Sequence, residues 1–283
     1  MMKALKQARA AFGLLNPEEM RKRAAREIHI GLVAASDSGY STLEHFLAPR
    51  DLPHETRMEV LQRAHRMTDP HAPERVDLIL HEPGQRIDYP GAHALDRHDP
   101  DATIREILRA HDDVTLALAR SFPGFRQPVI DRTIHAVARE NAFFAIAAAL
   151  PDVVPSLVEL PWVFGEFASD TVFLTANQVR MAFLIAAACG DEVGFAHQKG
   201  SIATIVAAAF GWRALARELV GKIPFGGGLI PKGAIAFAAT YAIGKGLVRL
   251  HANHPFTAGE RREAYEQAYQ QGLDVARSFR ERA

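Results

Sequence analysis

Two hydrophobic rhythms divide this chain. Near the N-terminus the apolar residues Ile28, Ile30, Leu32 and Val33 form a strand-like run, and Leu43, Phe46 and Leu47 then recur at helical spacing. Between them lies a small, polar stretch, Ala34-Ala35-Ser36-Asp37-Ser38-Gly39, with Ser41-Thr42 as a polar helix start. A Pro-broken segment, 49–74, follows, with a helix expected over Glu55–Met67; the β-type run Arg75-Val76-Asp77-Leu78-Ile79-Leu80 comes next. From Ile104 onward the period is almost wholly helical. Helices are expected over Val129–Leu150, over Asp170–Cys189 with a stop at Gly190, over Ser201–Val220, and from Lys232 to about Asn253. A capping box, Thr257-x-x-Glu260, opens a last helix with Tyr265, Tyr269, Ala276 and Phe279 on its buried stripe.

This pattern predicts a mainly α protein, with a small N-terminal α/β unit and a helical-bundle C-terminal domain. A basic helical arm spans 1–27, the α/β unit 28–120 and the helical domain 121–283. In the arm, Leu5, Ala8, Phe12 and Leu15 share one side; Asn16-Pro17 then restart the helix as N-cap and N1, leading into Arg21-Lys22-Arg23 and Arg26.

Strand, tight loop and helix is how a phosphate-binding loop is built, because backbone N–H groups and a helix N-terminus converge on an anion. The nucleotide-binding pattern G-x-x-x-x-G-K-[ST] falls on Ala34 to Ser41. Gly39 and Ser41 are retained, Ala34 replaces the first Gly, and Tyr40 replaces the Lys that contacts the β- and γ-phosphates. After the second strand, His81-Glu82-Pro83-Gly84 stands where a GTPase carries D-x-x-G, with His81 at the metal-supporting Asp position and Gly84 retained. No N-K-x-D guanine-reading motif occurs, and about ninety residues are too few for a complete doubly wound G domain. The candidate nucleotide-binding set, degenerate as it is, comprises Ala34, Ser38, Gly39, Tyr40, Ser41, Thr42, His81 and Gly84. GTP with Mg²⁺ is expected to bind weakly or not at all.

Composition adds little to this picture. Lys plus Arg and Asp plus Glu number 33 each, so no global field argues for nucleic acid. The single cysteine, Cys189, sits in an Ala-rich stretch and reads as a small core hydrophobe in a reducing compartment. Lys3, Lys6 and Arg9 interrupt the first apolar segment, so a secretory signal is not expected. Cytoplasmic residence follows, with the basic arm able to meet the inner membrane surface. The stretch 88–113 is rich in His and Asp; His93-x4-His98-Asp99 has an imaginable metal spacing, but a solvated acidic loop is the expectation.

The segment from about Asn141 to Gly246 resembles the helical domain of unknown function found C-terminal to bacterial GTPase domains and in related membrane-associated proteins. The resemblance rests on Pro151 and Pro155, on Leu174-Thr-Ala-Asn-Gln178-Val-Arg180-Met181 with its Asn177, on Ala186–Gly190 and on Arg213-x3-Arg217. It continues through Ile223-Pro224, Gly226-Gly227-Gly228 and Ala238-Ala-Thr240-Tyr-Ala-Ile-Gly244. The segment from Ile30 to Leu47 is similar to the phosphate-loop region of Era-like and TrmE-like GTPases. Together these imply a GTPase-plus-helical-domain layout with the GTPase half shrunken, and association rather than catalysis. The expectation is a pseudo-GTPase-like interaction protein that meets a protein partner, a second copy of itself or a membrane surface, and not nucleic acid. A slow or weak nucleotide binder with Arg126 or another cation in place of the lysine is the alternative. A membrane-inserting helical protein built on Ile223–Leu247 is a second one.

Overall fold

The computed structural model describes residues 15–148, 170–205, 229–252, 254 and 256–280. It is mainly helical, with one small sheet of four parallel strands. By internal packing the chain falls into two units. One holds Glu19–Asp131 with Ala186–Glu192; the other holds the described residues of Met1–Glu18, Arg132–Ile185 and Val193–Ala283.

In the first unit, helix α1 (Pro17–Ala24) starts on its proline and β1 (Ile30–Val33) follows. Helices α2 (Asp37–Leu47) and α3 (His54–Leu61) lead to β2 (Ala64–Arg66), and β3 (Leu78–His81) and β4 (Ala92–Ala94) complete the sheet. The strand order is β2-β1-β3-β4. Ile30 pairs with both Ala64 and Leu78, and Leu80 pairs with His93. The two central strands are the apolar ones: Ile30, Leu32, Leu78 and Leu80 are fully buried, as parallel strands covered on both faces should be. After β4, Asp99 caps α4 (Pro100–Ala110), its Oδ1 accepting from the N–H of Ala102 at 3.0 Å. A 3-10 turn (Asp112–Val114), α5 (Thr115–Ser121) and the start of α6 (Pro123–Ala147) close the unit. Phe125 there meets Phe46 of α2 edge-on, at 6.4 Å between ring centres.

Two strands depart from the sequence expectation. The helix expected over Glu55–Met67 ends at Leu61, and its tail is β2; the stretch 88–113, expected as an acidic loop, contains β4 and all of α4. Ala-His-Arg and Ala-His-Ala have no β-branched residue and no alternation. They are strands because the exposed sides of β1 and β3 leave backbone groups to be paired.

The second unit is built of the remainder of α6, α7 (Asp170–Cys189) as far as Ile185, α8 (Leu229–His251) and α9 (Ala258–Arg280). Gly190, at φ +87°, stops α7 in a left-handed turn, as expected of a C-terminal glycine. The capping box forms as the spacing predicts. Thr257 N–H donates to Glu260 Oε2 at 2.8 Å, and Glu260 N–H donates to Thr257 Oγ1 at 3.3 Å. The core is made of small residues around a few rings: Ala138, Ala142, Phe237, Ala238, Ala242, Tyr265 and Ala268. Of the expected stripe, Tyr265 and Ala276 are buried, and Phe279 reaches Phe143 at 4.8 Å between ring centres. No helix among the described residues is long and apolar enough to cross a membrane. The expected helix over 1–15, all but its last residue, the connector around Pro151–Phe167 and most of the Ser201–Val220 helix lie outside the described residues.

Close approach of α8 to its neighbours depends on missing side chains. A Cβ on Gly272 would stand 2.8 Å from the carbonyl oxygen of Ala234, and one on Gly244 would stand 2.8 Å from Ile134. The Ala234 oxygen belongs to helix backbone and cannot step aside. Gly272→Ala should therefore cost about 1–3 kcal/mol in urea denaturation. Gly259→Ala, at an exposed site of the same helix with nothing within 4 Å, should be neutral or stabilising by up to about 1 kcal/mol.

Candidate functional site

Because β2 joins β1 on one side and β3 joins it on the other, the sheet reverses its winding direction between β1 and β3. The crevice beyond the carboxyl ends of such a strand pair is where open α/β sheets bind ligands. The loop-derived candidates collect there: Ala34, Ser38, Gly39, Tyr40, Ser41 and Thr42 follow β1, while His81 and Gly84 end and follow β3.

The local geometry differs from that of a phosphate loop. Helix α2 begins at Asp37, four residues before Ser41, capped by Ser36, whose Oγ accepts from the N–H of Gly39 at 3.1 Å. Asp37, Ser38, Gly39 and Tyr40 are helical, so only Ala34-Ala35-Ser36 remains as an arch. Three residues are too few to encircle a phosphate with successive N–H groups. The Ser36 hydroxyl and an acid at the first helical position already serve the start of this helix.

A carboxylate sits where the loop would face an anion. Glu82 Oε2 accepts from the N–H of Ala35 at 3.3 Å, and a Cβ on Gly39 would come within 2.6 Å of that oxygen. Its other oxygen pairs with Arg97 Nη2 at 2.5 Å. Gly39 is therefore needed for the approach of Glu82 to the helix start, and a Cβ there would also stand 2.8 Å from Ala34 Cβ.

The remaining candidates have local partners. Tyr40, at the lysine position, is buried; Arg66 lies over its ring at 4.9 Å and its hydroxyl is 3.2 Å from Thr68 Oγ1. Thr42 Oγ1 donates to the Ser38 carbonyl at 2.9 Å, and Ser41 is exposed. His81 Nδ1–H donates to the Glu82 carbonyl at 2.9 Å. Gly84, at φ +87°, serves a turn that few other residues would tolerate. The cations flanking the loop are Arg66, held by Glu44 at 2.8 Å and Asp37 at 3.3 Å, and Arg97. Arg126 stands on α6, where its charge acts on the Cys189 thiol, whose pKa burial pushes up. Cys189 itself is only partly buried, one residue beyond the buried Ala186-Ala187-Ala188, and so lies at the margin of the core rather than within it.

In the helical unit, the motif residues Asn177, Gln178, Arg180 and Thr240 meet in one buried network. Two residues that sequence reasoning passed over, Glu140 and Asn141 of α6, complete it. Asn141, wholly buried, donates through Nδ2 to Thr240 Oγ1 at 2.8 Å, and its Oδ1 accepts from Asn177 Nδ2 at 2.9 Å. Gln178 Nε2 donates to Thr240 Oγ1 at 3.3 Å. Arg180 Nε donates to Asn177 Oδ1 at 2.9 Å, and its Nη2 pairs with Glu140. Three helices thus share one polar junction, whose register is specified because an unpaired amide here has no water to turn to. The lone polar residue in the apolar face around Ala138 and Ala142 is the signal that would have found Asn141. Arg213, Arg217, Gly226, Gly227 and Gly228 lie outside the described residues.

His93, His98 and Asp99 do not converge: His93 is buried against Glu106 and His111, while Asp99 caps α4 and pairs with Arg105. Among the described residues no group of three His, Cys, Asp or Glu could hold a metal ion.

The class defined by these features is a mainly α protein carrying a small parallel α/β unit with a self-occupied helix start. No family model, no curated protein and no solved structure matches this chain.

Truncating the centre of the helical junction takes one partner each from Thr240, which keeps Gln178, and from Asn177, which keeps Arg180 and Glu140. Asn141→Ala should lower stability by about 1–3 kcal/mol in urea denaturation. Arg277→Ala, which breaks only the exposed pair with Asp274, should change it by about 0.5 kcal/mol or less.

Proposed function

We propose that the protein is a non-catalytic, pseudo-GTPase-like interaction protein, in which the α/β unit is a phosphate-loop relic and the helical domain docks on a protein partner or a membrane surface. The observation that carries this reading is the Glu82 carboxylate at the start of α2. A triphosphate brought there would meet a fixed negative charge, with the Ala35 N–H and Arg97 already engaged. Two further features support it: four residues of the expected loop are wound into helix, and the residue at the lysine position is packed inward. The lysine normally supplies charge that loop N–H groups cannot, and its loss weakens phosphate binding and transfer together. The interaction role comes from the resemblance, which is to domains attached to GTPases rather than to catalysts.

A weak nucleotide binder is the second reading, favoured by the positions of Arg97 and Arg66. If Glu82 swung aside, Arg97 would stand beside the bared N–H groups as a substitute cation.

Calorimetric titration with GTP and ATP plus Mg²⁺, with phosphate release followed in parallel, decides between them. The expected outcome is no heat at millimolar nucleotide and no release. Micromolar binding by the native protein would sink the first reading. Glu82→Gln removes the competing charge while keeping the shape; it is expected to titrate flat as well, whereas submillimolar binding by this variant would favour the second reading.

A further inference from the structure

Each edge strand of the sheet is held by a pair of facing histidines. His65, the middle residue of β2, brings Nε2 to 2.9 Å from Nδ1 of His29, which precedes β1. His93, the middle residue of β4 and only 5% exposed, brings Nε2 to 2.9 Å from Nε2 of His111, which closes α4. The rings of each pair stand 5.1 Å apart. His93 Nδ1 lies 2.8 Å from Glu106 Oε1; an ionised carboxylate only accepts, so this nitrogen carries a hydrogen.

Two ring nitrogens at 2.9 Å have room for one hydrogen between them. With both rings as imidazolium, each would aim an N–H at the other, and two like charges would meet head-on. Each pair therefore holds its strand while at least one ring is neutral, and its protons come and go as those of a coupled site. Burial and the facing His93 hold His111 below the usual histidine range, against the raising effect of Asp113 and Asp77. Burial and His29 do the same to His65, against Asp69. The charged surroundings are thus Glu106, Asp77 and Asp113 around the second pair and Asp69 beside the first. Arg26 ties Asp77, at 2.8 Å, to Asp113, at 3.1 Å, and Asp77 Oδ2 accepts the backbone N–H of His29 at 2.9 Å. With no third ligand placed to complete a metal site among the described residues, the gap in each pair suits a proton.

We propose that the two histidine pairs make the α/β unit a proton-responsive latch, in which a second proton taken up by a pair releases the edge strand it holds. The sign follows from linkage. Above the free-histidine value of about 6.5, His65 and His111 are neutral in both the folded and unfolded chain, so their contribution to stability is complete. As pH falls below that value the unfolded chain binds up to one more proton per pair, and stability is lost toward the lowered values of His65 and His111. Two protons shift the unfolding equilibrium by at most about a hundredfold per pH unit.

The test is a long-range proton–nitrogen NMR titration of the full chain from pH 8.5 to 5, with urea midpoints and amide exchange at each step. One ring of each pair should stay neutral well below the free value. Exchange in β2 and β4 should quicken ahead of β1 and β3 as the midpoint drops. His65→Gln with His111→Gln keeps a neutral hydrogen-bonding group at each pair and should flatten the midpoint between pH 7 and 5.5. Should the double variant not fold, His111→Gln alone and the native titration decide. Four rings titrating independently at the ordinary value, or a variant keeping the native slope, would overturn the proposal. So would one equivalent of micromolar Zn²⁺ saturating the His93–His111 nitrogens, which would assign that pair to a metal.

Discussion

Parallel pairing of β1 with β3 is the constraint on which the α/β unit depends. It aligns Val33 with His81, so the residues that follow the two strands emerge side by side. Glu82 can reach the N–H of Ala35 only because its own N–H donates to the Val33 carbonyl at 3.0 Å, extending the ladder by one rung. At the opposite end the same pairing brings Asp77 beside His29, where its N–H donates to the His29 carbonyl at 2.8 Å. Loop end and histidine end are two consequences of one register. A slip of one residue would turn Leu78 and Leu80 off their face of the sheet and dismantle both.

The helical unit works by a different balance. Alanine and glycine contacts bury little area per residue, so their value is proximity: helix backbones come close enough for dispersion and for short polar side chains to reach across. Asn141, Thr240, Asn177 and Gln178 connect because Gly244 and the alanines nearby hold α6, α7 and α8 together. Small residues without the network would permit several sliding registers, and the network without small residues could not close. The Arg180–Glu140 pair, nearer the surface, continues the same junction outward.

Much of the helical architecture was legible in the sequence, because amphipathic period, proline breaks and stop signals are local. The Asp170–Cys189 helix and the Thr257–Glu260 box follow from such signals. The central strands were legible too, since a strand buried on both faces is an unbroken apolar run. Edge strands were not, because three residues paired on one side carry no periodicity; Ala-His-Arg and Ala-His-Ala owe their form to neighbours distant in sequence. The start of α2 was misplaced for a related reason. Ser36 and Ser41 are both good caps, and only the position of Glu82, 46 residues beyond Ser36, favours winding the turn between them. Glu82 falls on a free position of the D-x-x-G pattern, whereas its role comes from the charge it lays across the loop after β1. Glu140 and Asn141 lie ahead of the motif they complete, on a different helix.

The brevity of β2 and β4 has a bearing on how the unit behaves in a crowded solution. An exposed strand edge is a template on which another chain can crystallise its own backbone, and the hazard grows with the length of flat, unpaired ribbon. Three residues per edge, each with a histidine at the centre and β2 ending on an arginine, offer too short a run to seed such growth. The sheet thus gains colloidal safety from the same economy of length that hides its margins from a reader of the sequence.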